Sequence, residues 1–285
     1  MLEGGIRLQQ SDNNPTTKQP VFSVVTAVYN GAAHLEQTIQ SVLQQSYGSI
    51  EYIVIDGGST DGTLDILRQY EQHIHYWKSE SDQGVYDAMN QGITLARGEV
   101  IGLLNADDFY YRETVKTVME KHQNNVAGIY YGNVCHIQEM QDRSLIRTGI
   151  PNLDGMQETM TIIHPACFVT KATYTKIGTY DTSYRIAADY DFLLRGLRGG
   201  IQYHYIDQQL TGYRGGGLSA ANCSSILEAQ TIKEKQLGGT YPEMQAKYER
   251  CVKRQRLRKW LYAAASLLGF RKRLDQRVIK IWNQR

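Results

Sequence analysis

The stretch Leu103-Leu104-Asn105-Ala106-Asp107-Asp108 runs apolar residues straight into carboxylates. Adjacent carboxylates repel, and a divalent cation relieves the repulsion. Hard oxygen ligands suit Mg²⁺ or Mn²⁺, which keep open positions for substrate phosphates. The competing reading is that Asp107 or Asp108 caps a helix over 109–119, satisfying free amides and favouring the helix dipole. Asp56 likewise ends an apolar run and precedes Gly57-Gly58-Ser59-Thr60-Asp61-Gly62-Thr63. Such a turn lets backbone approach a ligand while Asp61 caps the next helix. A carboxylate at that edge could accept the imide hydrogen of uracil or thymine, or an amino group of guanine; the plainer alternative is an Asp that only terminates a strand. A third polar turn, Ser81-Asp82-Gln83-Gly84, opens a helix whose Asp87 and Asn90 lie one turn apart on one face.

These residues need a scaffold, and the hydrophobic pattern supplies one. Apolar β-branched runs at 22–29, 50–56, 75–78 and 100–104 alternate with helical patterns at 32–45, 61–70 and 85–96. Buried strands joined by helical crossovers predict an α/β fold, a Rossmann-like mixed and mostly parallel sheet flanked by helices. Ligands of such sheets sit at the carboxyl ends of strands. Tyr29-Asn30, Asp56 and 105–108 all follow strands directly. A second region adds a strand at 129–137, a turn-rich connection through Pro151, the apolar run 162–170 and a helix over 187–198.

The stretches FSVVTAVYN (22–30), YIVIDGGSTDGT (52–63), ESDQGVYDAMNQG (80–92) and ARGEVIGLLNADDF (96–109), in this order and spacing, resemble family 2 glycosyltransferases with the GT-A fold, of the kind that build bacterial polysaccharide or lipopolysaccharide. The resemblance covers about residues 21–218. It implies that Ala27 and Tyr29 border the base, that Asp56 bonds it, and that Asp82 and Asn90 line the nucleotide-sugar pocket. It also implies that Asp107 is the metal-ligating acid of a D-x-D motif. The motif's first position is Asn105, a neutral ligand to ribose at best, with Ala106 between. Metal then rests on Asp107, with help from Asp108 and the diphosphate, and binds chiefly as the metal-nucleotide complex.

Transfer from a nucleotide sugar needs a base for the acceptor hydroxyl. In Tyr184-Arg185-Ile186-Ala187-Ala188-Asp189-Tyr190-Asp191, Asp189 matches the acid that serves as base in the family's motif; Asp191 is the fallback, and a helix cap is the competing role. Direct attack with no enzyme nucleophile inverts the anomeric configuration. His164, entering a strand, reads as a supporting residue behind this site. Arg214, followed by Gly215-Gly216-Gly217, offers a cation in a lid over a diphosphate; a plain linker is the alternative.

The chain has 285 residues, 41% of them hydrophobic, enough to bury a core. Its 31 basic and 29 acidic residues are too balanced for a whole-protein nucleic-acid binder. Cys135, Cys167, Cys223 and Cys251 are widely spaced and read as reduced, in a cytoplasmic protein without a disulfide framework or zinc site. The expected organisation is a flexible arm over 1–20, a catalytic domain over 21–220 whose halves meet near 110, and a helical basic extension over 221–285. Basic residues flanking Trp260-Leu261-Tyr262 suit a helix lying on an anionic membrane surface, which would bring the protein peripherally to the inner face of the plasma membrane and a lipid-linked saccharide acceptor; a helix packed on the domain is the alternative. Two rival functions are a nucleotidyltransferase, which would carry a glycine-rich basic loop where 28–32 stands, and a non-catalytic sugar-nucleotide or polysaccharide binding module.

Overall fold

A computed structural model describes residues 1–9, 22–124, 126–140, 143–215 and 223–267. The apolar runs form strands of one mixed sheet: β1 (Leu2–Gly4), β2 (Phe22–Val28), β3 (Ile50–Asp56), β4 (Tyr76–Ser79), β5 (Val100–Leu103), β6 (Phe109–Tyr110), β7 (Gly128–Met140), β8 (Arg143–Gly149), β9 (Cys167–Thr170) and β10 (Gln202–Arg214). Their spatial order is β1-β4-β3-β2-β5-β9-β7-β10-β6, with β8 paired to β7. Strands β2, β3, β4 and β5 are parallel. Strand β9 runs against β5 and β7, and β7 and β10 are again parallel. The order turns outward in both directions from β2, so the carboxyl ends of β2 and β5 flank a crevice.

Every residue of β2 is buried, as expected of a strand covered on both faces. Helices α1 (Ile6–Gln9), α2 (Leu35–Leu43), α3 (Thr63–Gln69), α4 (Val85–Leu95), α5 (Thr114–Lys121), α6 (Lys171–Ile177) and α7 (Ala188–Arg198) surround the sheet. Leu35, Ile39 and Val42 of α2, Leu67 of α3, and Val115 and Val118 of α5 join Phe22, Val24, Tyr52 and Val54 in one core. Helix α4 packs on the opposite face, where Gly92 allows its backbone to close on Val25. The chain divides into two compact units, Met1–Ala221 and Asn222–Arg285. The second contains α8 (Ser224–Leu237) and α9 (Pro242–Leu267). No helix among the described residues is long and apolar enough to cross a membrane.

Three expectations are corrected. The start of the chain is not a loose arm: Leu2, Glu3 and Gly4 pair antiparallel with Ser79, Lys78 and Trp77, and Arg7 makes an ion pair with buried Glu51. Pairing covers the otherwise open edge of β4, which outweighs the weak local propensity of three residues. Residues 10–21 of the expected arm lie outside the described residues. The cysteines are not all reduced, because Cys223 and Cys251 form a disulfide. The short connection 238–241 turns α9 back along α8 and brings their Cα atoms to 5.9 Å across 28 residues. Cys135 and Cys167 are free and buried. Finally, no helix begins at 109: Phe109–Tyr110 is a strand paired with β10, and α5 starts at Thr114. The capping reading of Asp107 and Asp108 therefore falls away.

Candidate active site

The loops after β2 and β3 are built as one piece. Asn30, with φ +50°, offers its Oδ1 to the Thr60 amide at 2.9 Å and donates its own amide to Ser59 Oγ at 2.7 Å. Asp61 accepts from the Ala32 amide, the Thr63 amide and the Thr63 hydroxyl; the hydroxyl bond chiefly holds its carboxyl below the usual range. Asp56, only 1% exposed, accepts from the Gly58 and Ser59 amides (3.2 and 3.0 Å), Ser79 Oγ (2.6 Å) and Ser59 Oγ. These bonds pin the turn in which Gly58 takes φ +83°, a conformation that excludes most side chains. Three donors converge on Oδ2 and one on Oδ1, so Oδ1 keeps the only spare accepting capacity.

Asp82 stands over this turn. A Cβ on Gly57 would lie 2.7 Å from its Oδ2, so the absent side chain makes room for this carboxylate. Partial burial raises the Asp82 pKa, the Gly84 amide opposes the rise, and the charges of Asp87 and Asp56 add to it. Ala27 is buried at the end of β2, whereas the Tyr29 ring beyond it is 67% exposed at the crevice. An exposed aromatic beside a backbone turn can stack on a planar base.

Across the crevice, Asn105-Ala106-Asp107-Asp108 forms the loop between β5 and β6. The Ala106 carbonyl accepts from Thr38 Oγ1 at 2.9 Å. Asn105 and Asp107 are half-buried. Asp108 is fully buried and accepts from the Arg214 amide (2.9 Å) and Asn105 Nδ2 (3.0 Å). Burial, then the charge of Asp107, pushes its pKa up to about 7, against the pull of the Arg214 amide. These bonds anchor β10 against this loop. Among the described residues the Asp107 carboxylate makes no hydrogen bond and no group of three acidic, histidine or cysteine side chains could hold a metal. One carboxylate suits a cation that brings its own waters and phosphate oxygens. Arg214, the last residue of β10, donates to the Asp107 carbonyl and to Gln37 Oε1 (2.6 Å), with its guanidinium 5.5 Å from the Phe109 ring centre. The glycines expected to make a lid continue past 215, outside the described residues.

Helix α7 presents Asp189 in its first turn. Its Oδ1 accepts from the Tyr190 amide (3.0 Å) and lies 3.1 Å from the hydroxyl of Tyr86, the second residue of α4, whose single proton it shares with the Ile186 carbonyl at 2.7 Å; His164 Nδ1 stands 3.5 Å from Oδ2. The fallback Asp191 is fully buried in an ion pair with Arg195 Nε at 2.7 Å. Asn90, expected at the pocket, bonds to the backbone of Tyr180. Its amide donates to the Tyr180 carbonyl (2.9 Å) and accepts from the Tyr180 amide (3.0 Å), copying a strand pairing between α4 and the segment before α7. Tyr180 in turn stacks on Tyr86 with ring centres 5.5 Å apart. Tyr86 went unmarked in the sequence because an aromatic in a helix's first turn carries no signal of a partner 103 residues away.

The model of the family described as glycosyl transferase family 2 matches residues 23–177. A PGL/p-HBAD biosynthesis glycosyltransferase of Mycobacterium bovis is 34% identical over 186 residues, covering 62% of this chain and 69% of its own. An uncharacterized glycosyltransferase of Mycobacterium tuberculosis is 38% identical over 188 residues, with 63% and 70% covered. Among solved structures, residues 1–349 of S. aureus TarS in complex with UDP-GlcNAc align with a TM-score of 0.61 at 17% identity, over 77% of this chain and 67% of that one. A mannosyltransferase from Pyrobaculum calidifontis in complex with GDP-Man and Mn²⁺ aligns at 0.57 and 17%, over 82% and 70%. At these identities the structural likeness is one of fold, the GT-A arrangement of a mixed sheet and flanking helices.

Proposed function

The chain belongs to glycosyl transferase family 2, and from that premise we propose that it is an inverting, metal-dependent hexosyltransferase. It moves a sugar from a nucleoside-diphosphate sugar to a saccharide or lipid-linked saccharide in bacterial surface polysaccharide biosynthesis. The observation that carries this reading is the hydrogen bond from Tyr86 to Asp189. It ties a carboxylate of the acceptor half to the helix that begins right after the Asp82–Gly84 turn, so base and donor loop meet in one crevice.

In this reading Tyr29 stacks on the base, Asp56 keeps the turn that receives it, and Asp82 and Asn105 face the nucleotide. The acceptor hydroxyl oxygen attacks the anomeric carbon, its proton passes to Asp189, and the bond from that carbon to the diphosphate oxygen breaks; attack opposite the leaving group inverts the configuration. Mg²⁺ or Mn²⁺, held by Asp107 together with diphosphate oxygens, would neutralise charge on the departing diphosphate. The Arg214 guanidinium adds a fixed cation beside the same loop.

The second unit supports a further part of the proposal. In α9, Leu257, Trp260 and Leu261 are exposed at i, i+3 and i+4 spacing, among exposed Lys253, Arg254, Arg256 and Lys259. Apolar residues on one helical stripe with basic neighbours suit an anionic bilayer surface, where a lipid-linked acceptor resides. Flotation with anionic vesicles should carry the protein upward, and Trp260→Glu should abolish it.

The experiment for the main reading incubates protein and Mn²⁺ with UDP-, dTDP- and GDP-linked sugars. Release of nucleoside diphosphate supports transfer, and an inverted anomeric NMR signal in the product supports the mechanism. Release of pyrophosphate, or a retained configuration, rejects it.

A further inference from the structure

The two carboxylate oxygens of Asp189 have different surroundings. Oδ1 takes the Tyr190 amide and a share of the Tyr86 hydroxyl proton, which also reaches the Ile186 carbonyl at 2.7 Å. Oδ2 faces His164, whose Nδ1 is 3.5 Å away; the two side chains are 17% and 12% exposed. His164 stands there because of its backbone. It opens a 3₁₀ turn with Pro165, closed by the Ala166 amide on the Ile163 carbonyl at 3.0 Å, and the Pro165 carbonyl accepts from buried Thr211 Oγ1 of β10 at 2.8 Å. The ring is therefore delivered to Asp189 by an anchored segment.

The other ring nitrogen decides which tautomer is present. Nε2 is buried and has no hydrogen-bond partner among the described residues. A proton on Nε2 would leave a buried donor unsatisfied and set the bare Nδ1 lone pair against a carboxylate oxygen. A proton on Nδ1 points at that oxygen instead, leaving Nε2 as an unpaired acceptor, the smaller cost. Which nitrogen carries the proton thus follows from the partner of the other.

We propose that His164 is the positioning residue for proton transfer to Asp189. Its Nδ1–H donates to Oδ2 and tightens from 3.5 Å when substrates fill the crevice, as contacts of substrate-free sites do. Tyr86 and the Tyr190 amide clamp one oxygen, His164 clamps the other, and the carboxylate plane is fixed so that the remaining lone pair of Oδ2 faces the acceptor hydroxyl. The effect is orientational, and misplacement by about 1 Å costs on the order of 100-fold. This inference rests on Asp189 being the base.

The first test needs no substrate. Long-range ¹H–¹⁵N NMR of the whole protein should show His164 protonated at Nδ1; protonation at Nε2 alone overturns the proposal. The second measures diphosphate release from the sugar nucleotide that turns over fastest among UDP-, dTDP- and GDP-linked hexoses, with Mn²⁺. His164→Asn keeps an N–H where Nδ1 stood and should retain most of kcat. His164→Gln moves it to the Nε2 position, and His164→Ala removes it; both should lose roughly 10- to 100-fold in kcat with donor KM within about twofold. Equal losses in Asn and Ala variants, or a loss confined to KM, overturn the assignment. Full activity of Asp189→Asn would instead reject Asp189 as base, whatever the tautomer.

Discussion

In the half of the sheet built from β2 to β5, polar side chains at the carboxyl edge bond to their own and neighbouring turns: Asp56 to residues 58, 59 and 79, Asn30 to 59 and 60, Asp61 to 32 and 63. In the half built from β6 to β10 they reach across the crevice. Asp189 meets Tyr86, Arg214 meets the loop of Asp107 and Asp108, and the backbone of Tyr180 is met by the Asn90 side chain from the first half. The first half is a self-contained cradle, and its turns are set before any ligand arrives. The second places its chemical groups only by leaning on the first. Nucleotide binding should therefore withstand damage to the second half, whereas turnover should not withstand damage to the contacts between them.

The largest effect expected is from Asp107→Asn. If this carboxylate holds the metal-diphosphate complex as proposed, its loss removes several kcal/mol of charge stabilisation, about a thousandfold in diphosphate release with saturating Mn²⁺. Retention of rate would mean that the crevice works without this residue. Next comes the cradle itself. Asp56→Ala orphans four donors and should cost about 3 kcal/mol in chemical unfolding together with nucleotide affinity; a loss of affinity with unchanged stability would show Asp56 contacting the base instead of shaping the turn.

Asn90→Ala probes the seam. Removing the paired bonds to Tyr180 should cost about 1–2 kcal/mol of stability. It should also lower kcat more than donor affinity, because Tyr180 stacks on the tyrosine that holds Asp189. The smallest effect is a pH dependence confined to the cradle. His75 accepts the Tyr52 amide at Nδ1 (3.1 Å), and burial holds its pKa below the ordinary value, with the Glu51 charge partly opposing. Below about pH 6.5 the unfolded chain takes up a proton that the folded ring refuses, so stability falls as pH drops through that value. Thermal melts across pH 5 to 8 should show the slope, and His75→Asn should flatten it.

The contrast also explains what could be read from sequence. Strands β2, β3 and β5 are buried almost throughout and spell near-continuous apolar runs, and turns such as 57–63 carry their own glycine and aspartate chemistry. Strand β10 is 13 residues long yet largely polar, and β8 is an edge hairpin strand, so neither has an apolar run to mark it. Strand β1 exists only because the edge of β4 needs a partner. The partners of Asp108 and Asn90 were illegible for a related reason. Residue type gives the donors and acceptors, but the partner comes from 106 residues away for Asp108 and 90 for Asn90. The same holds for the pairing of Cys223 with Cys251.

The most direct measurement is Asp189→Asn assayed twice, by calorimetric titration with the donor nucleotide sugar and Mn²⁺, and by release of nucleoside diphosphate. The structure predicts donor affinity within roughly threefold of the parent and turnover reduced by about 100-fold or more. Unchanged turnover, or affinity that collapses along with it, would contradict a cradle that binds and an opposite half that reacts.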